Sequence, residues 1–154
     1  MALYFLDTSA VVKRYVAETG HTWVVNLCDP AQGHDLHIAQ ARLVEVVATL
    51  CRKARESAIT AGERDGLIAD FRRDTTGRYV IRPVTTDIYV QAGDLCCTHA
   101  LRAYDAVQLA ASLSLRDEAV AASAPPPNFV CADIDLLGYA AAEGVSVEDP
   151  NSYP

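Results

Sequence analysis

The chain has 154 residues, of which 51% are hydrophobic and 21% are charged, and its net charge at neutral pH is −7. This length suits one domain with a core of its own, and the composition excludes a disordered or fibrous chain. An acidic chain attracts polyanions poorly, so any binding of nucleic acid has to depend on a local basic patch or on a metal ion.

Short apolar strands alternate with helices along the sequence. The predicted elements, in chain order, are a strand at 2–6, helices at 9–17 and 21–28, a strand at 36–39, helices at 40–56 and 60–74, a strand at 79–81, helices at 86–101 and 104–115, a strand at 129–131, a helix at 133–143 and a strand at 145–147. The helix at 40–56 has apolar residues at three- and four-residue spacing, and Thr60 and Glu63 match a capping box. The alternation predicts an α/β fold, in which helices cover both faces of a central parallel sheet.

Two segments lie outside this alternation. Segment 121–128 contains three successive prolines, Pro125 to Pro127, which predict a loop because proline in a helix interior breaks the hydrogen-bond ladder. The sequence suggests no function for this loop. We expect residues 1–147 to form a single domain, and residues 148–154 to form a short tail that frays.

The cysteines and the apolar segments indicate the cellular compartment in which we expect this protein. The five cysteines are odd in number and include no C-x-x-C pair, which disfavours a disulfide framework or a zinc finger and favours a reducing cytoplasm. The apolar start is interrupted at Asp7 and no basic residues precede it, unlike a signal peptide. No run approaches the roughly 20 apolar residues of a membrane span, so we expect no membrane association.

Four acidic residues lie where predicted strands end or predicted helices begin. They are Asp7, Glu45, Asp105 and Asp133. Because the carboxyl ends of parallel strands share one edge of a sheet, we expect these side chains to meet in one cleft. The four carboxylates would repel one another, so we expect Asp7→Asn to leave the metal-free fold intact. Mg²⁺ or Mn²⁺ would bind such oxygens and can activate a water molecule for attack on a phosphodiester.

Each acidic residue also has a purely structural interpretation. Asp133 is a suitable helix N-cap, Asp105 complements a helix dipole, and Asp7 can form an Asx-turn with the residues that follow it. Glu45 lies among apolar neighbours, where a carboxylate is either solvated or functional. These interpretations stay open for each residue alone, but four carboxylates at matching positions favour a shared site.

Four segments resemble the motifs of one family. LDTSAVVKRY resembles the opening strand and turn of PIN-domain ribonucleases, ARLVEVVATLCRKAR resembles their glutamate helix, LRAYDAVQLAASL resembles their third motif and FVCADIDLL resembles their fourth. The resemblance covers residues 3–147 and is to the VapC-type toxins of bacterial toxin–antitoxin pairs.

This resemblance implies a function and a set of site residues. It implies a single PIN-like domain that cleaves RNA with Mg²⁺ or Mn²⁺, that is inhibited by a cognate antitoxin, and that commonly forms a homodimer. Asp7 and Asp105 would be the principal metal ligands. Glu45 and Asp133 would complete the acidic cluster, either directly or through water.

Four further residues lie near these motifs. The family often has Thr two residues before the fourth acid, and this chain has Cys131 there, so a hydroxyl group is missing. Asp135 is an alternative fourth acid, although its place in Asp-Ile-Asp favours solvent. Lys13 and Arg14 follow the first motif closely and are the basic residues best placed to meet an RNA phosphate.

Two other classes of function compete with a ribonuclease. A phosphotransfer domain of the receiver or haloacid-dehalogenase type would use Asp7 as a nucleophile. Such domains rely on a Lys late in the chain, and none follows Lys53. A non-catalytic PIN-like binding module would usually lack the acidic residues, whereas all four are present here.

Overall fold

The computed structural model describes residues 1–153, and its centre is a parallel sheet of five strands. The strands are β1 (Leu3–Leu6), β2 (Asp35–Ala39), β3 (Val80–Arg82), β4 (Asn128–Val130) and β5 (Ser146–Glu148). Their order across the sheet is β3-β2-β1-β4-β5, so the first strand of the chain lies in the middle. Phe5 pairs with His37 on one side and with Phe129 on the other. Since every pairing is parallel, all strands end at the same edge of the sheet.

Seven α-helices connect these strands within residues 1–153. They are α1 (Thr8–Tyr15), α2 (His21–Leu27), α3 (Arg42–Arg55), α4 (Ala61–Asp74), α5 (Thr86–Thr98), α6 (Ala103–Ala121) and α7 (Ile134–Ala142). The predicted capping box is present, because the Thr60 amide donates to the Glu63 carboxylate at 2.7 Å and the Glu63 amide donates to the Thr60 hydroxyl at 3.1 Å. None of these helices is long and apolar enough to cross a membrane.

Successive residues of β1 face opposite sides of the sheet, and each side has its own core. Phe5 is buried among residues of α5, α6 and α7, and its ring stacks on Phe129 with the centroids 6.0 Å apart. Leu6 is buried on the other side, among residues of α1, α2, α3 and α4. This period of two is that of a strand buried on both faces. The predicted α/β architecture is therefore confirmed, and the end of β1 is held from both sides.

Two helix boundaries differ from the predictions by three residues or more. Helix α6 continues to Ala121 instead of ending at residue 115, because Ala119 still packs in the core and the first helix-terminating positive φ comes at Ser123. Helix α5 ends at Thr98, three residues before the predicted end. The proline segment therefore joins the end of α6 directly to β4, and it is shorter than the sequence suggested.

The described residues after β5 pack against α2 and do not fray. Pro150–Ser152 forms a 3₁₀ turn, and Tyr153 stacks on Trp23 with the ring centroids 4.7 Å apart. Gly20 has a φ of +84°, and a Cβ atom there would lie only 2.4 Å from the carbonyl oxygen of Pro150. The expectation of fraying is therefore wrong for residues 148–153, while residue 154 lies outside the described residues. The boundary at residue 147 between the domain and a C-terminal tail stays a prediction.

Candidate active site

Asp7 lies directly after β1 and caps the start of α1. Its Oδ2 atom accepts hydrogen bonds from the Ser9 amide at 2.9 Å and from the Ser9 hydroxyl at 2.7 Å. Its own amide donates to the Val130 carbonyl at 2.8 Å, which ties it to the end of β4. The side chain is buried. The Asx-type turn expected from the sequence is present, and it fixes one carboxylate oxygen while the other faces the interior.

Glu45 lies in the first turns of α3, and one of its oxygens is fully engaged. Oε2 accepts hydrogen bonds from Thr8 Oγ1 at 3.0 Å, from Arg42 Nη1 at 2.7 Å and from Gln108 Nε2 at 2.8 Å. These donors come from three helices, α1, α3 and α6, which meet at the edge where β1 and β2 end. The carboxylate is thus held in one orientation, and none of these three bonds uses Oε1.

Arg42 is the residue that the sequence analysis missed. Its side chain has no exposed surface, and Nε donates to the Leu6 carbonyl at 3.2 Å. Nη2 donates to Asp7 Oδ1 at 2.9 Å, so that one guanidinium joins two of the predicted acidic residues. An arginine in the first turn of a helix is ordinarily solvated. The available signal was its spacing, because residues three apart share one helix face and Arg42 precedes Glu45 by three.

Gln108 was also missed, although it lies within the third motif. It is buried in α6, three residues after Asp105, and its Nε2 donates to Glu45. Within residues 1–153 its Oε1 is buried and has no hydrogen-bond partner. The amide orientation follows from the contact, because a carboxylate oxygen requires a donor.

Asp105 stands in the first turn of α6 and is only partly buried. Burial raises the pKa of its carboxyl group, and the negative charges of Asp7 and Asp133 raise it further, with a smaller contribution from Glu45. Arg102 acts in the opposite direction. Asp105 therefore lies within electrostatic reach of the other three predicted carboxylates.

Asp133 and Asp135 differ in what the structure shows of them. Asp133 is the N-cap of α7, and its Oδ1 accepts from the amides of Asp135 and Leu136 at 3.0 and 3.1 Å. The capping interpretation is therefore correct for Asp133, although it leaves Oδ2 free of these bonds. Asp135 is exposed in the first turn of α7. A role in metal binding stays a prediction for Asp133, and Asp135 stays the alternative.

Cys131 occupies the position of the missing hydroxyl group, and its thiol takes part in the local hydrogen bonds. The Asp133 amide donates to Cys131 Sγ at 3.3 Å, and Ser9 Oγ lies 3.6 Å from the same sulfur. Burial raises the pKa of the thiol, and the charge of Asp7 adds to this effect. The group therefore stays protonated at neutral pH and acts as a structural contact.

Lys13 and Arg14 do not point toward an RNA phosphate. Lys13 is buried, and its Nζ donates to the Thr19 carbonyl at 2.7 Å and pairs with Glu18 at 3.3 Å. Arg14 donates to the Cys28 carbonyl at 3.1 Å and pairs with Asp74 at 2.9 Å. Proximity in sequence to the first motif suggested a substrate contact, but α1 turns both side chains toward the scaffold, so this prediction is wrong.

The donor chemistry of the cluster fits a hard divalent cation. The four side chains offer only carboxylate oxygens, the ligands that Mg²⁺ and Mn²⁺ prefer. Within residues 1–153 no group of three or more Asp, Glu, His and Cys side chains is placed so that it could hold a metal ion. Asp7 and Glu45 are instead bridged by Arg42. A cation beside Asp105 would offset the repulsion that raises its pKa.

Comparisons with known proteins identify the family of this chain. The PIN domain family matches residues 4–123. Ribonuclease VapC45 of Mycobacterium tuberculosis (strain CDC 1551 / Oshkosh) is 36% identical over 123 residues, which cover 76% of this chain and 79% of that protein. Ribonuclease VapC49 of Mycobacterium tuberculosis (strain ATCC 25618 / H37Rv) is similar to the same extent.

Solved structures share the fold. VapC20 of Mycobacterium tuberculosis, described as a sarcin–ricin loop cleaving toxin, matches with a TM-score of 0.63 and 17% identity, over 99% of this chain and 100% of that one. VapBC2 from Rickettsia felis, solved bound to a DNA fragment from its promoter, matches with a TM-score of 0.60 and 14% identity, over 96% of this chain and 98% of that one. At these identities the likeness concerns the fold alone. The family match and the two ribonucleases carry the assignment, and the chain belongs to the PIN domain family, in its VapC group.

Proposed function

We propose that this protein is a Mg²⁺- or Mn²⁺-dependent endoribonuclease that hydrolyses RNA phosphodiesters and serves as the toxin of a toxin–antitoxin pair. The proposal is supported by the positions of Asp7, Glu45 and Asp133 after the parallel strands β1, β2 and β4, and by the raised pKa of Asp105, which comes from burial and from the charges of these three residues. The relatives named as VapC ribonucleases supply the substrate class.

The chain's own residues divide into those that would hold the cation and those that hold the ligands in place. Asp7 and Asp105 are the principal ligands in this proposal, and Glu45 and Asp133 complete the cluster directly or through water. When bound, the cation supplies an activated water molecule and stabilises the leaving oxygen of the phosphodiester. Ser9 keeps Asp7 in orientation by two hydrogen bonds to Oδ2.

The lysines disfavour the phosphotransfer alternative. A nucleophilic carboxylate needs a nearby Lys to neutralise the transferred phosphoryl group. Lys13 is paired with Glu18 and donates to the Thr19 carbonyl, and no Lys follows Lys53 in the sequence. A non-catalytic binding module has no observation in its favour, because all four acidic residues are present at the same edge.

The partners follow from the same relationship. The solved relative from Rickettsia felis is a VapBC pair, so we propose that a cognate antitoxin inhibits this chain. A homodimer is the assembly that the resemblance implies. All five cysteines are free, which fits the reducing cytoplasm that we propose as its compartment.

The experiment is an RNA cleavage assay with a matched pair of variants. Purified protein is incubated with total bacterial RNA in Mn²⁺, in Mg²⁺ or in EDTA, and new 5′ ends are mapped by sequencing. Wild type should cleave only with a divalent cation, and Asp105→Asn should lower the rate by at least about 100-fold. Asp65→Asn, which neutralises an exposed carboxylate on α4, is the control and should cleave normally. Cleavage in EDTA, or full activity of Asp105→Asn, would contradict the proposal.

A further inference from the structure

Most of the basic side chains are engaged within the fold. Nine of the 13 lysines and arginines form salt bridges or donate to main-chain carbonyls. Within residues 1–153 the arginine side chains without a salt bridge or a hydrogen bond are Arg52, Arg55, Arg72 and Arg102. The first three lie in the last turns of α3 and α4, whereas Arg102 directly precedes α6, and its charge acts on Asp105. Arg102 is therefore the unpaired cation beside the acidic cluster.

A cavity of about 410 Å³ opens between α5 and the first turns of α6. Its lining residues are uncharged and include Tyr89, Ala92, Cys96, Tyr104, Ala106 and Val107. The two tyrosines, one from each helix, are exposed, while the two alanines and the valine are buried. The volume lies in the range of about 300–1,000 Å³ that is typical of small-molecule sites. Exposed aromatic rings beside buried apolar side chains suit a planar ring that stacks on them.

The cavity and the acidic cluster lie on opposite sides of the same helical turn. Successive residues of a helix are turned by about 100°, so Asp105 points away from Val107, which lines the cavity. Gln108 follows on the face of Asp105 and donates to Glu45 at 2.8 Å. Arg102 is the N-cap residue directly before this turn. A strand that crosses this end of α6 would therefore meet the cavity, the arginine and the carboxylates along one short path.

We propose that this cavity binds one unpaired base of the RNA substrate, stacked on Tyr89 and Tyr104, and that Arg102 binds a backbone phosphate of the same strand. This inference rests on the proposed function. A chain with a net charge of −7 repels phosphates, so a strand that reaches the carboxylates needs an unpaired cation beside them. An arginine suits this role because its planar group can bind a phosphate through two hydrogen bonds.

The lining of the cavity also indicates which kind of RNA it takes. A base inside a duplex is already stacked on both sides, so the base that enters has to come from an unpaired segment. Stacking on aromatic rings tolerates any base, because every base has a π-face. The lining of the cavity offers no charged group to select one base by its edge. We therefore expect the cavity to bind purines and pyrimidines alike and to contribute affinity for single strands.

The first experiment measures RNA binding without cleavage, by fluorescence anisotropy in EDTA. The probes are a short randomised single-stranded RNA and an abasic strand with the same backbone. Tyr104→Ser should weaken binding of the randomised RNA by about 5- to 100-fold and leave the abasic strand unaffected. Tyr104→Phe keeps the ring and should bind like wild type. Val120→Ser changes an equally exposed residue at the other end of α6 and is the matched control.

The second experiment measures the phosphate contact through its salt dependence. Arg102→Gln should weaken both probes and should reduce the slope of log affinity against log salt concentration by about 0.7, as expected for one phosphate on a single strand. Arg102→Lys keeps the charge and should keep the slope. Arg72→Gln removes another exposed arginine, on α4, and should leave the slope unchanged.

The third experiment uses the thiol of Cys96 to report whether the cavity is occupied. Cys96 and Cys97 are both exposed, but only Cys96 is among the residues that line the cavity. In a Cys97→Ser variant, the randomised RNA should slow the reaction of Cys96 with N-ethylmaleimide severalfold, as followed by peptide mass spectrometry. In a Cys96→Ser variant, the reaction of Cys97 should keep its rate.

The outcomes separate this inference from the proposed function. Equal affinity of wild type and Tyr104→Ser for the randomised RNA, an unchanged salt slope in Arg102→Gln, or no protection of Cys96 would each overturn the inference, and metal-dependent cleavage would still support a ribonuclease. A dimer that dissociates in Tyr104→Ser and that hides Cys96 before RNA is added would also overturn it, in favour of a second copy of the chain. Wild type that binds RNA as described but cleaves it with neither Mg²⁺ nor Mn²⁺ would overturn the proposed function alone.

Discussion

Neutralising two neighbouring carboxylates should change the stability of the metal-free protein in opposite directions. Asp7→Asn should destabilise the fold, whereas Asp105→Asn should stabilise it. Asp7 pairs with the fully buried Arg42 at 2.9 Å, whereas burial and the charges of Asp7 and Asp133 raise the pKa of Asp105. The sequence alone suggested relief of repulsion at Asp7, but the ion pair with Arg42 gives that carboxylate a stabilising partner.

The size of the effect at Asp7 follows from its two hydrogen-bonded oxygens. Oδ1 accepts from Arg42 and Oδ2 accepts from Ser9, so an Asn amide group would have to face one of these donors. The N-cap itself is not weakened, because Asn and Asp cap helices equally well. Removing one partner of a buried ion pair costs about 3–5 kcal/mol. Since Glu45 still neutralises Arg42, we expect a loss of about 2–4 kcal/mol.

The effect at Asp105 depends on pH, and its sign follows from the raised pKa. The folded state holds this proton to a higher pH than the unfolded state, for which the ordinary pKa is 3.8. Stability is therefore lost as pH rises through the pKa of the folded state, where the carboxylate becomes charged. Asp105→Asn should match wild type below pH 3.8 and exceed it at neutral pH.

The assay is urea unfolding in EDTA, followed by circular dichroism, for wild type and both variants at pH 7 and at pH 3.5. Asp7→Asn should shift the midpoint down and Asp105→Asn should shift it up at pH 7, with unchanged m-values. An Asp7→Asn variant as stable as wild type would show that Arg42 is not held by that carboxylate. An Asp105→Asn variant that is less stable at pH 7 would refute the account of repulsion.

Three further variants test the surrounding structure. Gln108→Leu loses a hydrogen bond to a charged group, worth about 1.5–3 kcal/mol, but also removes a buried oxygen without a partner, worth about 1–3 kcal/mol. The free energy of unfolding in urea should therefore change by less than about 1 kcal/mol, while the rate of RNA cleavage falls. A loss of stability above about 3 kcal/mol would show that Gln108 Oε1 has a hydrogen-bond partner in the wild-type protein. Gly20→Ala places a Cβ 2.4 Å from a carbonyl oxygen and should cost about 1–3 kcal/mol, seen as a lower urea midpoint; an unchanged midpoint would contradict the packing. Cys131→Thr should keep or raise the cleavage rate, because a hydroxyl can accept from the Asp133 amide as the sulfur does; a large loss in a folded variant would mean that the fourth motif is misaligned.

The sequence predicted the sheet and the four carboxylates because both rest on local patterns. Short apolar runs mark strands buried on both faces, and the residues that follow such strands lie at one edge. The interior electrostatics had no such local signal. Arg42 is buried only because β1 and α3 come together, and its partner Asp7 lies 35 residues away. The length of α6 was underestimated for a related reason, since the packing of Ala119 depends on tertiary contacts and not on helix periodicity.

The central place of β1 also constrains when the protein can become active during synthesis. β1 leaves the ribosome well before its neighbour β4, which begins at Asn128. The hydrogen bond from the Asp7 amide to the Val130 carbonyl cannot form until that residue has emerged. A nascent chain shorter than about 130 residues therefore lacks one side of the sheet and the acid that follows it. The proposed acidic cluster is therefore complete only after residue 133 has been synthesised, and we expect no RNA cleavage from a fragment that ends before it.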